Sequence, residues 1–205
     1  MASSRGPNRR EVAALATRDV ILQTARRLFA EEGYAATSIQ RIAAEAGVSV
    51  QTIYSSVGPK PALVLALNDH IDHEAGLREV VAALEAEDRP GQMIALGVRL
   101  TRQLNERCGD VIRLFIATAP SERDVAATYE DGLRRHRDGV LGMTRRLAAM
   151  NALSPDMTAE RAAAAFGMMT APASWQQLTA EDGWSFDDAE DWIATSLKTL
   201  LLRRD

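Results

Sequence analysis

Between Val125 and Met150 one set of residues recurs without a gap: Val125, Tyr129, Leu133, His136, Val140, Met143, Leu147 and Met150, at steps of 4, 4, 3, 4, 3, 4 and 3. A mainly apolar stripe of that length has the period of an α-helix and cannot lie on a strand, whose faces alternate at every second residue. The same period runs through the rest of the chain. Ala is abundant, aromatic residues make up 5%, and no alternating β-branched run ends in a hairpin dipeptide. The pattern predicts an all-α protein with helices over 17–32, 39–46, 49–56, 61–87, 91–107, 110–119, 121–150, 158–170 and 185–202. The breaks are Gly33, Gly47, Gly58-Pro59, Arg89-Pro90-Gly91, Gly109, Pro120, Ser154-Pro155 and Gly183. Ser121-x-x-Asp124 and Ser185-x-x-Asp188 have the form of N-terminal capping boxes.

Charge divides the 205 residues unevenly. Residues 1–62 carry 8 Lys+Arg against 5 Asp+Glu, a net of +3, while 63–205 carry 16 against 23, a net of −7. A basic first third on an acidic protein is suited to binding nucleic acid through that third. The length allows one large domain or two small ones, and residues 1–16 (holding Arg5, Arg9 and Arg10) are expected to be a flexible arm.

Several classes are excluded or disfavoured. One cysteine, Cys108, allows neither a disulfide framework nor a cysteine-only zinc site, and the expectation for it is a silent thiol. Charges interrupt every hydrophobic stretch, so no membrane span is expected. The first sixteen residues lack the apolar core of a secretion signal, which points to the cytoplasm. His70 with Glu74, and Asp69 with His73, stand four apart, a spacing that can hold a metal. A solvated polar helix face has the same spacing, and no metal is expected. Neither a Gly-rich phosphate loop nor Gly-x-Ser-x-Gly is present. No catalytic residue and no cofactor is assigned, and an enzyme is not the expected function.

Residues 39–58, IQRIAAEAGVSVQTIYSSVG, fit a helix-turn-helix. Ala43 is small where two helices cross, Gly47 tolerates the positive φ of the turn, and Ile42, Ala46, Val48 and Ile53 lock the pair. With Ile53 pointing inward, Gln51 and Ser55 fall about 200° away and face outward. Gln51 can donate and accept, which suits a bidentate contact to adenine. Thr52 and Tyr54 flank them, and Ser49 caps the helix. The recognition helix has no Lys or Arg, so affinity must come from neighbours: Lys60, Arg41, Arg26 and Arg27.

Ile21, Ala25, Leu28-Phe29, Gly33-Tyr34, Thr37, Ile42-Ala43, Ala46-Gly47-Val48-Ser49, Ile53-Tyr54, Lys60 and Leu63 form a pattern over about fifty residues. On these residues the stretch from Arg18 to Leu67 closely resembles the DNA-binding domain of the TetR family of transcriptional repressors. Later residues resemble only the family's general layout, including Leu178, Gly183-Trp184-Ser185 and Trp192. The resemblance implies a nine-helix, two-domain homodimer: an N-terminal helix-turn-helix three-helix bundle over 1–62 and a C-terminal dimerisation and ligand domain over 63–205. It implies a palindromic operator, released when a small molecule enters the second domain, and a phosphate contact for Lys60. Val57-Gly58-Pro59 departs from the family, which often places an aromatic residue at the position of Val57. The DNA-facing set expected is Thr37, Arg41, Ser49, Gln51, Thr52, Tyr54, Ser55 and Lys60.

In the second domain, Arg113, Phe115, Tyr129, His136, Met143, Met169 and Trp175 are the candidates for an apolar or aromatic effector. Methionines repack readily, and Arg113, within an apolar stretch, is expected to be buried opposite an acid. Ala162, Phe166, Trp192, Ile193, Leu197 and Leu200 are the candidates for a two-fold interface, because small residues let helices approach and the last helix carries surplus apolar surface. The rival reading is a helical small-molecule binding protein, or an enzyme, whose helix-turn-helix is only structural.

Overall fold

The computed structural model describes residues 9–69 and 71–203; for Arg9, Arg10, Glu11, Asp72 and His73 it describes the backbone alone. His70 and the His73 side chain, invoked above for a metal, thus lie outside the described residues, as does Arg5. Among the described residues every regular element is a helix, and the one β-type contact is an isolated antiparallel bridge between Leu153 and Leu202. It divides into two compact units, one of residues 1–70 with 113–129, the other of 71–112 with 130–205.

The first unit contains α1 (Arg9–Glu32), α2 (Ile39–Ala46), α3 (Val50–Ser56) and α4 (Lys60–Asn68). Their inward faces bury Ile21, Leu22, Ala25, Leu28, Phe29, Ile42, Ile53, Leu63 and Val64. Each large aliphatic buried this way contributes ~1.5–3 kcal/mol against the chain entropy. Ser38 caps α2 through the Arg41 amide, and Gly47, at φ +66°, ends it with its own amide on the Ala43 and Ala44 carbonyls. That left-handed turn strains any residue with a Cβ. Pro61 sits in the first turn of α4. The last part of α7 (Pro90–Thr118) and the first part of α8 (Arg123–Ala149) complete this unit.

The second unit holds α5 (Ile71–Glu74), α6 (Leu77–Ala86), the remainder of α7 and α8, α9 (Ala159–Met169), α10 (Pro172–Gln176), a π-helical turn (Gln177–Glu181) and α11 (Phe186–Leu201). Its core gathers Met93, Ile94, Val98, Val140, Met143, Leu147, Phe166, Trp175, Ile193 and Leu197. Arg102 on α7 pairs with Glu106 at 3.2 Å and, on α11, with Asp187 at 2.7 Å and Glu190 at 2.5 Å. Burial alone would lower its pKa, but the three carboxylates raise it.

Nine helices of seven residues or more are described, and the sequence also predicts nine, but two differences cancel in that number. The helix expected over 61–87 is broken after Asn68 and again at Gly76, which takes φ +64°. That positive φ favours glycine, and a Cβ there would also stand 3.0 Å from the Arg107 guanidinium, which would have to shift. The helices expected over 91–107 and 110–119 are joined as α7, and the break survives as a kink at buried Cys108 (φ −126°, ψ 15°). α1 starts at Arg9, eight residues before the expected Thr17. α10 and the π-helical turn are not foreseen. Ser121 does not cap α8: its hydroxyl donates back to the Thr118 carbonyl, and the helix begins at Arg123. Ser185 does cap α11, accepting from the Asp188 amide at 3.0 Å, and the Asp188 carboxylate takes the Ser185 hydroxyl at 2.6 Å.

Candidate nucleic-acid interface

α3 is short, and its caps fix which way it faces. The Ser49 hydroxyl accepts from the Thr52 amide at 3.0 Å and shares a 2.8 Å hydrogen bond with the Thr52 hydroxyl. At its far end Arg18, on α1, donates to the Ser56 carbonyl at 2.8 Å. A cation there satisfies a free carbonyl and complements the helix dipole. Ile53 is fully buried between them, and Gln51, Tyr54 and Ser55 are exposed, with Tyr54 at 49%. Ser55 donates to the Thr52 carbonyl at 3.1 Å, so of the outward pair Gln51 has the longer reach.

Lys60 begins α4 with its ammonium 4.1 Å above the centroid of the Tyr34 ring. The Tyr34 hydroxyl donates to Glu122, in the turn before α8, at 3.0 Å. Burial pushes the Tyr34 phenol well up, with the Glu122 bond and charge adding to it. Burial pulls Lys60 down, and the Glu122 charge opposes that pull.

Not every expected residue reaches this surface. Thr37 is buried, its hydroxyl on the Gly33 carbonyl at 2.8 Å and the Leu28 carbonyl at 3.3 Å. It pins the loop ahead of α2 and leaves the DNA-facing set. Arg41 is exposed but pairs with Glu32 at 3.4 Å and Glu45 at 3.3 Å, and Arg27 pairs with Glu31 at 2.9 Å and Glu45 at 2.8 Å. Arg18, Tyr34 as a support for Lys60, and Glu122 are missed by the sequence reading. No local signal links Tyr34 to a residue so far along the chain.

The effector candidates are divided between the units. Arg113, Phe115 and Tyr129 belong to the first, and His136, Met143, Met169 and Trp175 to the second. Arg113 is exposed, against expectation, because it takes the outer face of α7 while Val111, Ile112, Leu114 and Phe115 turn in. Met143 and Phe166 close over Gly97, where a Cβ would stand 3.2 Å from Met143 Sδ and 2.9 Å from Phe166 Cζ. Trp175 is buried in the same core, stacked on Phe186 at 6.0 Å, and its indole N–H has no acceptor among the described residues. Burial pulls the His136 imidazole below its usual value.

Of the interface candidates, Ala162, Phe166, Ile193 and Leu197 are buried within the chain's own core and drop out as direct contacts. Trp192 and Leu200 are each 49% exposed and Met168 69%; Trp184, whose ring meets Trp192 edge-on at 5.8 Å, is 38% exposed. An open groove of about 620 Å3 lies by Leu200, lined by Ser154, Pro155, Thr199, Leu202 and Arg203. No described helix is long and apolar enough to cross a membrane.

Two short capped helices around Gly47, the second with one side buried and its polar side free, have the arrangement of a helix-turn-helix. Residues 21–67 match the model of bacterial regulatory proteins of the tetR family. An HTH-type transcriptional repressor of Mycobacterium tuberculosis is 36% identical over 122 residues, covering 55% of this chain and 61% of that protein. The match thus spans less than two thirds of that relative. A transcriptional regulator of Saccharomonospora viridis, solved in complex with choline, superposes with a TM-score of 0.75 at 22% identity over 91% of this chain and 98% of its own. FadR of Bacillus subtilis, solved in complex with stearoyl-CoA, gives 0.71 at 12% identity over 88% and 97%. Residues 21–67 are thus similar to the DNA-binding region of the tetR family, and the chain as a whole shares the fold of these regulators.

Proposed function

We propose that this chain is a transcriptional repressor: a homodimer that grips a palindromic operator and lets go when a small apolar effector binds its second unit. The observation that carries the reading is α3, which turns Gln51, Tyr54 and Ser55 to solvent over the buried Ile53. Gln51 reads a base edge, Tyr54, Ser55 and Thr52 meet the groove walls, and Lys60 takes a phosphate. Two copies meet through the exposed Trp192, Leu200 and Met168, and two-fold symmetry sets half-sites about one helical turn (~34–36 Å) apart, or a multiple of that. The effector enters among Met143, Met169 and Trp175, and an acceptor on it takes the free indole N–H of Trp175. Such a protein works in the cytoplasm and catalyses nothing. The relative from Mycobacterium tuberculosis supports the repressor assignment, and the complexes with choline and stearoyl-CoA support a ligand in this fold.

The test is selection of bound duplexes from a random pool, followed by a salt titration of the winner. A palindromic winner whose affinity falls steeply with salt is the expected result. Failure to enrich any duplex at low salt would overturn the reading in favour of a small-molecule binding protein or an enzyme.

A further inference from the structure

The helix-turn-helix does not complete its own unit. Residues 113–129, which are the end of α7, the turn after it and the start of α8, pack with residues 1–70. The turn contributes Glu122, whose carboxylate accepts the Tyr34 hydroxyl at 3.0 Å. Tyr34 is also held by Phe29, with ring centroids 5.5 Å apart, and its face carries the Lys60 ammonium at 4.1 Å. Carboxylate, phenol and ammonium thus form a relay ending at the first residue of α4.

We propose that Glu122 is a positioning residue for DNA binding, holding Tyr34 so that its ring presents the Lys60 ammonium to a backbone phosphate. The inference rests on the DNA-binding reading above. An ammonium has three donors, and a ring beneath it leaves donors free for an anion in front. A flexible four-carbon stem without that support loses more freedom on meeting the phosphate. Glu122 acts on Lys60 in a second way, since its charge opposes the pull of burial toward the neutral amine. A displacement of the turn before α8 would withdraw the carboxylate and loosen the lysine, which makes this turn part of the DNA-binding machinery.

The test uses the full chain and a duplex selected from a random pool. Tyr34→Phe keeps the ring and removes the link to Glu122, and Glu122→Ala removes the acceptor. Each is measured alone and with Lys60→Ala, and read as the ratio of its effects in the two backgrounds, so that the carboxylate's own repulsion for DNA cancels. Either variant should weaken binding roughly threefold to tenfold relative to its effect in the Lys60→Ala background, the lower part of the range for coupled neighbours. A duplex with a neutral methylphosphonate at the contacted position should likewise erase the effect of Tyr34→Phe. Equal effects in the two backgrounds, whether zero or large, would mean a merely structural role and overturn the inference alone. A wild-type chain that enriches no duplex would overturn the DNA-binding reading and this inference with it.

Discussion

Gln51 and Ile53 stand two residues apart on one short helix and do opposite work, the first toward solvent and the second in the core. Gln51→Ala should flatten base preference at one position of each half-site, where a mismatch ordinarily costs ~1–3 kcal/mol. Lys60→Ala should weaken all duplexes alike and reduce the salt slope by about 0.9. Binding measured on a panel of single-base variants over a salt series separates the two. His136 offers a pH test. Above about pH 6.5 it is neutral in both folded and unfolded chains. As pH drops below that, the unfolded chain takes the proton first, because burial holds the folded pKa down, and stability falls until the folded value is passed. His136→Gln should remove this share of the loss from a melting-temperature profile against pH. At this scale the outward set of α3 was legible from the angle per residue. Thr37 and Arg113 were misjudged, because burial of a threonine hydroxyl and the choice of an outer helix face depend on what packs alongside.

Each α-helix here rests on its ends as much as on its period. α3 has seven residues, too few to stand on propensity, so the Ser49 cap carries weight. Ser49→Ala should cost about 1 kcal/mol in chemical denaturation of the first unit. α7 tests packing instead. Gly97→Ala sets a methyl 2.9 Å from Phe166 Cζ, and overpacking of that kind costs ~1–3 kcal/mol. Thermal unfolding monitored at Trp175 should show it. Periodicity revealed the stripe on α8, yet only Val125, Val140, Met143 and Leu147 of it are buried. The division between the units falls at Tyr129, so one continuous pattern serves two cores. A one-dimensional pattern does not record where a long helix changes partners. The turn at Gly76 was hidden for a related reason: nothing in its neighbouring residues announces that the chain takes a positive φ there and passes close to a guanidinium from α7.

At the scale of the whole molecule, the family pattern made the first unit legible and left assembly to inference. The exposed residues of α9 and α11 now define the variant to make. Trp192→Glu with Leu200→Glu should give folded monomers, seen by sedimentation, that bind the palindrome weakly. Leu197→Glu, by contrast, buries an unpaired charge and should unfold the second unit. Retention of full operator affinity by the double-glutamate monomer would remove the two-fold interface from the proposal. The paired arginines of the first unit carry a consequence for how the protein searches. Arg27 and Arg41 each face two carboxylates, and these half-exposed pairs contribute at most about 1 kcal/mol apiece to stability. Their larger effect is on the field: two cations are cancelled locally, and α3 adds none. For the repressor proposed above, two fewer free cations should shorten residence on random DNA. Such a repressor would depend less on travel along the duplex to reach its operator, and lengthening the flanking DNA should raise its association rate little.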